Sequence, residues 1–191
     1  LVEEAESRGR SVAAHAHGTR GIKTAIKSGV ASIEHGSFID EEGIKLALER
    51  GTALVMDIYV SDYILEKGID LGFLPESIEK ERTVGKVQRD NFQKAHRAGA
   101  NIVFGSDAGV FPHGLNANQF SYMVKFGMNP IEAIRAATLR AAKLIGWEDV
   151  GVIKPGMKAD IIGTSVNPLE DISALENVNF VMKAGKIYRR D

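Results

Sequence analysis

As far as about Asn129 the chain alternates short apolar runs with longer amphipathic stretches, which predicts repeated β/α modules around a parallel sheet. Four runs read as strands: SVAAH, VASIEH, TALVMDIY and NIVFGSD. The stretches between them, GIKTAIKSG, DEEGIKLALERG and IEKERTVGKVQRDNFQKAHRAG, read as helices. In the second of these Ile44 and Leu48 are spaced i, i+4, and acidic residues crowd the first turn, where the helix dipole favours them. Gly29, Gly51 and Gly99 each close a helical run just before a strand, as a glycine one residue past a helix end does. Met128 to Gly146 predicts one further helix, with Asn129 as N-cap, Pro130 in the first turn and an apolar stripe from Ile131 through Ile134, Thr138 and Ala141 to Ile145. After Trp147 the pattern changes to short β-rich pieces, GVIKPGMKADIIGTS and NFVMKAGKIYRR, the second with a hairpin turn near Gly185.

A chain of 191 residues with 44% hydrophobic and 26% charged residues has ample material for a globular core. Its 24 basic and 25 acidic residues leave no electrostatic footprint for nucleic acid or an anionic membrane, so neither is an expected partner. No apolar stretch approaches the about 20 residues needed to span a bilayer. The absence of cysteine excludes disulfides and thiolate ligands without fixing a compartment. The opening LVEEAESRGR is polar and helix-like, with neither an initiator Met nor a signal pattern, so the chain is expected to be the C-terminal part of a longer protein.

Three of the apolar runs end in a metal-capable side chain: His15, His35 and Asp107. In a parallel β/α arrangement the carboxyl ends of the strands lie together, so the three would meet on one face. A lone strand-end His is ordinarily a hydrogen-bonded rim residue, and a lone Asp there ordinarily caps a helix. Two imidazoles and a carboxylate from three separate strand ends are instead a ligand set for Zn²⁺ or a similar ion, with positions left for water. The strand count limits the architecture, because a closed (β/α)₈ barrel takes eight strands and ~250 residues. An open doubly wound sheet would accommodate four strands, but HAHGTRG lacks the G-x-G-x-x-G phosphate-binding turn of dinucleotide-binding folds.

The motifs VAAHAHG, SIEHG, VFGSDAG, GMNPIEAIRAATLRAAKLIG and GVIKPGMKADIIGTSVNPLEDI, together with VMKAGKIY, resemble the second half of a metal-dependent amidohydrolase. GSDAGVFPHGLN brings the likeness nearest to the Xaa-Pro dipeptidase (prolidase) and imidazolonepropionase-like group. The resemblance implies an α/β fold in two parts: residues 1–147 as strands five to eight of a TIM-type barrel with their helices, and residues 148–191 as strands of a small β-sandwich. It implies one or two divalent ions, zinc above all, with His15 as fifth-strand ligand, His35 as sixth-strand ligand and Asp107 as both eighth-strand ligand and catalytic acid/base. The family's first-strand His-x-His pair and fourth-strand lysine have no counterpart, since His15-Ala16-His17 is the only His-x-His and stands on another strand.

The implied reaction is hydrolysis of an amide bond in a small substrate, most readily a dipeptide, by metal-activated water. Cyclic amide hydrolysis or deamination is the alternative within the family. A catalytically silent half-barrel that completes another polypeptide is the alternative outside it. The expected partners are therefore the substrate, an N-terminal half-barrel and further copies of the chain in a homo-oligomer.

Three further residues are candidates for substrate binding. His17 reads equally as a partner to a ligand, a substrate contact or a solvated helix-start residue. His113 could bond a substrate carboxylate or be an ordinary loop histidine. Tyr59, with Tyr63, opens a long connection that could form a lid or simply pack. His96, near the end of a helix, reads as a dipole partner.

Overall fold

The computed structural model describes residues 1–191. Four parallel strands, β1 (Ala13–Ala16), β2 (Ser32–His35), β3 (Ala53–Val55) and β4 (Ile102–Val103), form one sheet in sequential order. Helices separate them: α2 (Thr19–Lys27), α3 (Glu41–Arg50), then α4 (Val60–Lys67) and the long α5 (Pro75–Arg97). A short α1 (Val2–Glu6) precedes the sheet, and α6 (Asn118–Lys125), α7 (Pro130–Ala137) and α8 (Leu139–Leu144) follow it.

Sequential parallel order with right-handed crossovers puts the connecting helices on one side of a sheet, as in a barrel wall; a doubly wound sheet needs a reversal of strand order. The register shows which side that is. Ala14, Ile33, Leu54 and Ile102 lie abreast in one row, and the last three are buried in the main core with Ile22, Ile26, Ile44, Phe92 and Ala136. The adjacent row is His15, Glu34, Val55 and Val103, which alternation turns to the opposite face. There Ala13 and His15 are exposed while Glu34 and Val55 are half-buried. Gly105, just past β4, lies so close to Val55 that an added Cβ would stand 2.4 Å from Val55 Cγ1.

The second sheet is antiparallel and three-stranded: β5 (Ile161–Gly163), β6 (Phe180–Lys183) and β7 (Lys186–Arg190), in that order. The expected hairpin joins β6 to β7 through Ala184 and Gly185, at φ 48° and 79°, the pair of positive values that a two-residue type I′ turn requires. Asp160 braces it, accepting from the Ala184 amide at 2.7 Å and from Lys183 Nζ at 2.8 Å.

Several element boundaries differ from the sequence pattern, each for a tertiary reason. The single helix expected over Met128 to Gly146 is two, broken at Thr138, where φ and ψ are −120° and −89°. The Thr138 hydroxyl bonds back to the Ile134 carbonyl, and Gly151 packs against the Thr138 carbonyl and Leu139, so a neighbouring loop occupies the kink. The run NIVFGSD is a strand only at Ile102–Val103, because the Phe104 amide turns to the Ala136 carbonyl of α7 rather than to a strand. GVIKPGMKADIIGTS is a strand only at its end, its earlier part being held by turns such as Met157 N–H to Lys154 C=O. The connection opened by Tyr59 begins with an additional helix, α4, ahead of the expected α5, and α6 is a further helix in a stretch with no assigned element.

Candidate metal centre and active site

The carboxyl ends of β1, β2 and β3 and the turn after β4 bring five metal-capable side chains together. His15 and His35 have ring centroids 4.5 Å apart, and His17 stands 4.8 Å from His15 and 4.6 Å from His35. One ligand atom from each of these three histidines lies within 4.8 Å of the others, and the same holds for His35, Asp57 and Asp107. Of the expected trio, His15 and Asp107 each lie close to His35, which is common to both groups, and all three line one cavity. His17, left open between ligand partner, substrate contact and solvated residue, belongs to the cluster.

Backbone conformation aims two of these groups. His35 has φ 68° and Asp107 has φ 54°, both left-handed, a region that few non-glycine residues adopt, Asn, Asp and His most often. Such conformations persist only where the surroundings hold them, and they gather at functional sites. At His35 the positive φ ends the alternation of β2 and turns the ring out of the helix-facing row it would otherwise join.

Three of these groups are shifted by their surroundings. The hydrogen bond that His35 donates to Asp57, helped by the Asp57 charge, holds the His35 imidazole above its ordinary value against the opposing effect of burial. Burial, then the neighbouring His35 and His15, push His17 down. Burial, then the Asp57 charge, raise the Asp107 carboxyl, while His35 and His15 pull the other way. Ser37 Oγ and His17 Nδ1 share a hydrogen bond of 2.8 Å.

A cavity of about 270 Å³ opens over the cluster, with His15, His17, His35, Asp57 and Asp107 at its base. Val60 and Ile64 of α4, with Glu81, Val84 and Gln88 of α5, line its other side, so the helical connection after β3 forms a wall of the site. Larger hollows, of about 750 and 650 Å³, lie beside the three-stranded sheet and contain no histidine. Volume alone would favour them, but the charged residues of the larger one are taken up in exposed ion pairs, Lys158 with Asp149 and Lys183 with Asp160.

Tyr59 and His113 are not brought to this cavity. Tyr59 packs with Phe111 and Tyr122 at centroid distances of 5.2 and 5.3 Å, and His113 is exposed in its loop. His96 sits in the last turn of α5 and pairs with Glu132 at 3.3 Å, in keeping with a helix-end role. Asp57, Gln88 and Glu81 carried no assignment from sequence. Asp57 was findable, because it too ends a strand run, but Ile58 and Tyr59 extend that apolar run past it.

The amidohydrolase family profile matches residues 1–188. The chain belongs to the amidohydrolase family. Among curated proteins it is 36% identical over 195 residues to the ochratoxinase of Aspergillus niger, covering 99% of this chain and 40% of that protein. Among solved structures it superposes with a TM-score of 0.92 on a Xaa-Pro dipeptidase with methionine bound in its active site, at 46% identity, covering 98% of this chain and 47% of the other. A prolidase complexed with N-methylphosphonate-L-proline gives a TM-score of 0.92 at 33% identity, covering all of this chain and 48% of the other. This amidohydrolase chain thus spans less than half the length of these relatives.

Proposed function

We propose that the whole protein is a metal-dependent hydrolase that cleaves the amide bond of a small substrate, a dipeptide with proline or another residue as the leaving amine. The observation that carries this reading is the convergence of His15, His35 and Asp107, with His17 and Asp57, at the carboxyl end of a parallel sheet. Family membership supports amide hydrolysis. The Xaa-Pro dipeptidase and prolidase among the similar structures favour a dipeptide.

The donor set fits a divalent ion of the zinc type: imidazoles and carboxylates in two groups that share His35, the ligand atoms of each group lying within 4.8 Å of one another. His15, His35 and Asp107 would hold it, with further ligands from the rest of the protein. When bound, such an ion lowers the pKa of coordinated water toward ~7 and polarises the scissile carbonyl. Asp107 accepts a proton at its carboxylate from the attacking water and returns it to the leaving nitrogen, a role open to a carboxylate that lines the cavity beside the ion. His17, on the cavity wall, contacts the substrate. Val60, Ile64 and Val84 exclude water and offer apolar surface to a side chain.

In this reading residues 1–147 are half of a barrel completed by an N-terminal half, and residues 148–191 belong to a β-sandwich. Assembly into homo-oligomers is part of the same proposal.

The test is a substrate panel on the full-length protein: Xaa-Pro dipeptides, other dipeptides, N-acyl amino acids, cyclic amides and amino-substituted heterocycles. Release of a free amino acid from the dipeptides is expected to dominate. Ring opening or ammonia release as the principal activity would replace this reading with a cyclic amide hydrolase or deaminase. Inactivity toward every amide, with the chain needed only for assembly, would remove the catalytic assignment.

A further inference from the structure

Helix α5 crosses the carboxyl ends of β2 and β3, and its buried face carries two amides among its apolar residues, Gln88 and Asn91. A buried amide must find partners where it lies. Both find them on the turn that follows β2. Asn91 Nδ2 donates to the Ser37 carbonyl at 2.9 Å, and Gln88 Nε2 donates at 3.1 Å to the His35 carbonyl and at 3.1 Å to Asp57 Oδ1. That turn holds His35 in left-handed backbone at φ 68°, a conformation that persists where the surroundings support it. Gln88 supplies the support at the carbonyl.

The ring is held separately. His35 Nδ1 faces both Asp57 oxygens, at 3.0 and 3.1 Å, and Asp57 is only 4% exposed. An ionised carboxylate only accepts, so the hydrogen resides on Nδ1. The Nε2 lone pair is then the one left for the cavity that His35 shares with His15 and Asp107.

We propose that Asp57 and Gln88 are positioning residues for His35. Asp57 fixes the ring as the Nδ1–H tautomer, Gln88 anchors both Asp57 and the left-handed turn, and together they preset Nε2 to bind a divalent cation. The proposal rests on the reading of His35 as a metal ligand. It also gives α5 a role beyond walling the cavity, since one face of this helix sets the ligand geometry at the end of β2. The competing use of Asp57, direct coordination, is disfavoured by the donors already aimed at both its oxygens.

The test uses the full-length protein with Zn²⁺ as the probe. Dissociation constants are measured by chelator competition for wild type, Asp57→Asn, Gln88→Leu and His35→Ala. The zinc coordination shell is read by X-ray absorption at saturating Zn²⁺, and thermal unfolding of the metal-free proteins reports folding. Loss of an outer partner of a ligating histidine typically weakens metal binding 10–100-fold, and about that rise in the Zn²⁺ dissociation constant is expected for Asp57→Asn, with the number of zinc ligands unchanged. A smaller rise is expected for Gln88→Leu. A wild-type dissociation constant in Asp57→Asn, or loss of an oxygen ligand from its zinc shell, would overturn the proposal. Should Asp57→Asn fail to fold, Gln88→Leu decides: a raised constant supports the proposal and an unchanged one overturns it. If His35→Ala binds Zn²⁺ as wild type does, the ligand reading of His35 itself has failed, and that result is recognisable without any change at Asp57.

Discussion

Asp107→Asn in the full-length enzyme is expected to lower kcat by about 10²–10⁴-fold while leaving KM nearly unchanged, the signature of a lost acid/base group. The substitution keeps the turn in place while removing the proton acceptor and one anionic metal ligand, so metal content is measured beside the kinetics. Asp107 occupies left-handed backbone at φ 54°, and Asn tolerates that region as readily as Asp, so the turn after β4 has no reason to move. Size and shape are retained, and only the charge and the basic oxygen are removed. Steady-state kinetics on a cleaved dipeptide, with inhibitor binding measured separately, is the check. A variant with wild-type kcat would show that the proton passes through another group of the cavity.

The second large effect concerns the chain by itself. Expressed as its 191 residues alone, it is expected to aggregate or self-associate. The parallel sheet ends at β1 and β4 with no further strand beside either, which leaves backbone donors and acceptors along two edges. On the face that in a barrel is filled by layers of side chains, Ala13 and His15 are exposed at the β1 edge. Around the three-stranded sheet Ile153 is 83% exposed and Trp147 61% exposed, apolar surface that ordinarily has a covering partner. Sedimentation of the isolated chain tests the expectation. Aggregates, paired half-barrels, or recovery only on co-expression with an N-terminal half would agree with it. A monomer with a cooperative thermal transition and zinc-dependent peptidase activity would contradict it.

The sheet was legible because strand patterning and glycine punctuation are local properties. Gly29, Gly51 and Gly99 do adopt positive φ at helix ends, and each apolar run contains a strand of the parallel sheet. The meeting of His15, His35 and Asp107 follows from the same pattern, since parallel strands share a carboxyl end.

What the pattern could not show depends on contacts between distant residues. Gln88 and Asn91 look like polar surface on a charged helix, yet they are buried because the left-handed turn at His35 and the carboxylate of Asp57 need donors there. The break at Thr138 lies inside an unbroken amphipathic stripe and depends on Gly151 packing against it. Helix α4 was hidden because Tyr59 and Tyr63 drew the reading toward a loop, although Val60 and Ile64 have helical spacing and face the cavity.

Metal analysis of the full-length protein tests the central claim most directly. Wild type, purified without chelator, is expected to carry one or two divalent ions per chain and to lose both metal and amide hydrolysis on chelation, while His35→Ala retains its fold with metal occupancy well below that of wild type. An enzyme that hydrolyses its substrate with no bound metal, or a His35→Ala variant with the wild-type metal content, would contradict the assignment of this cluster as a metal centre.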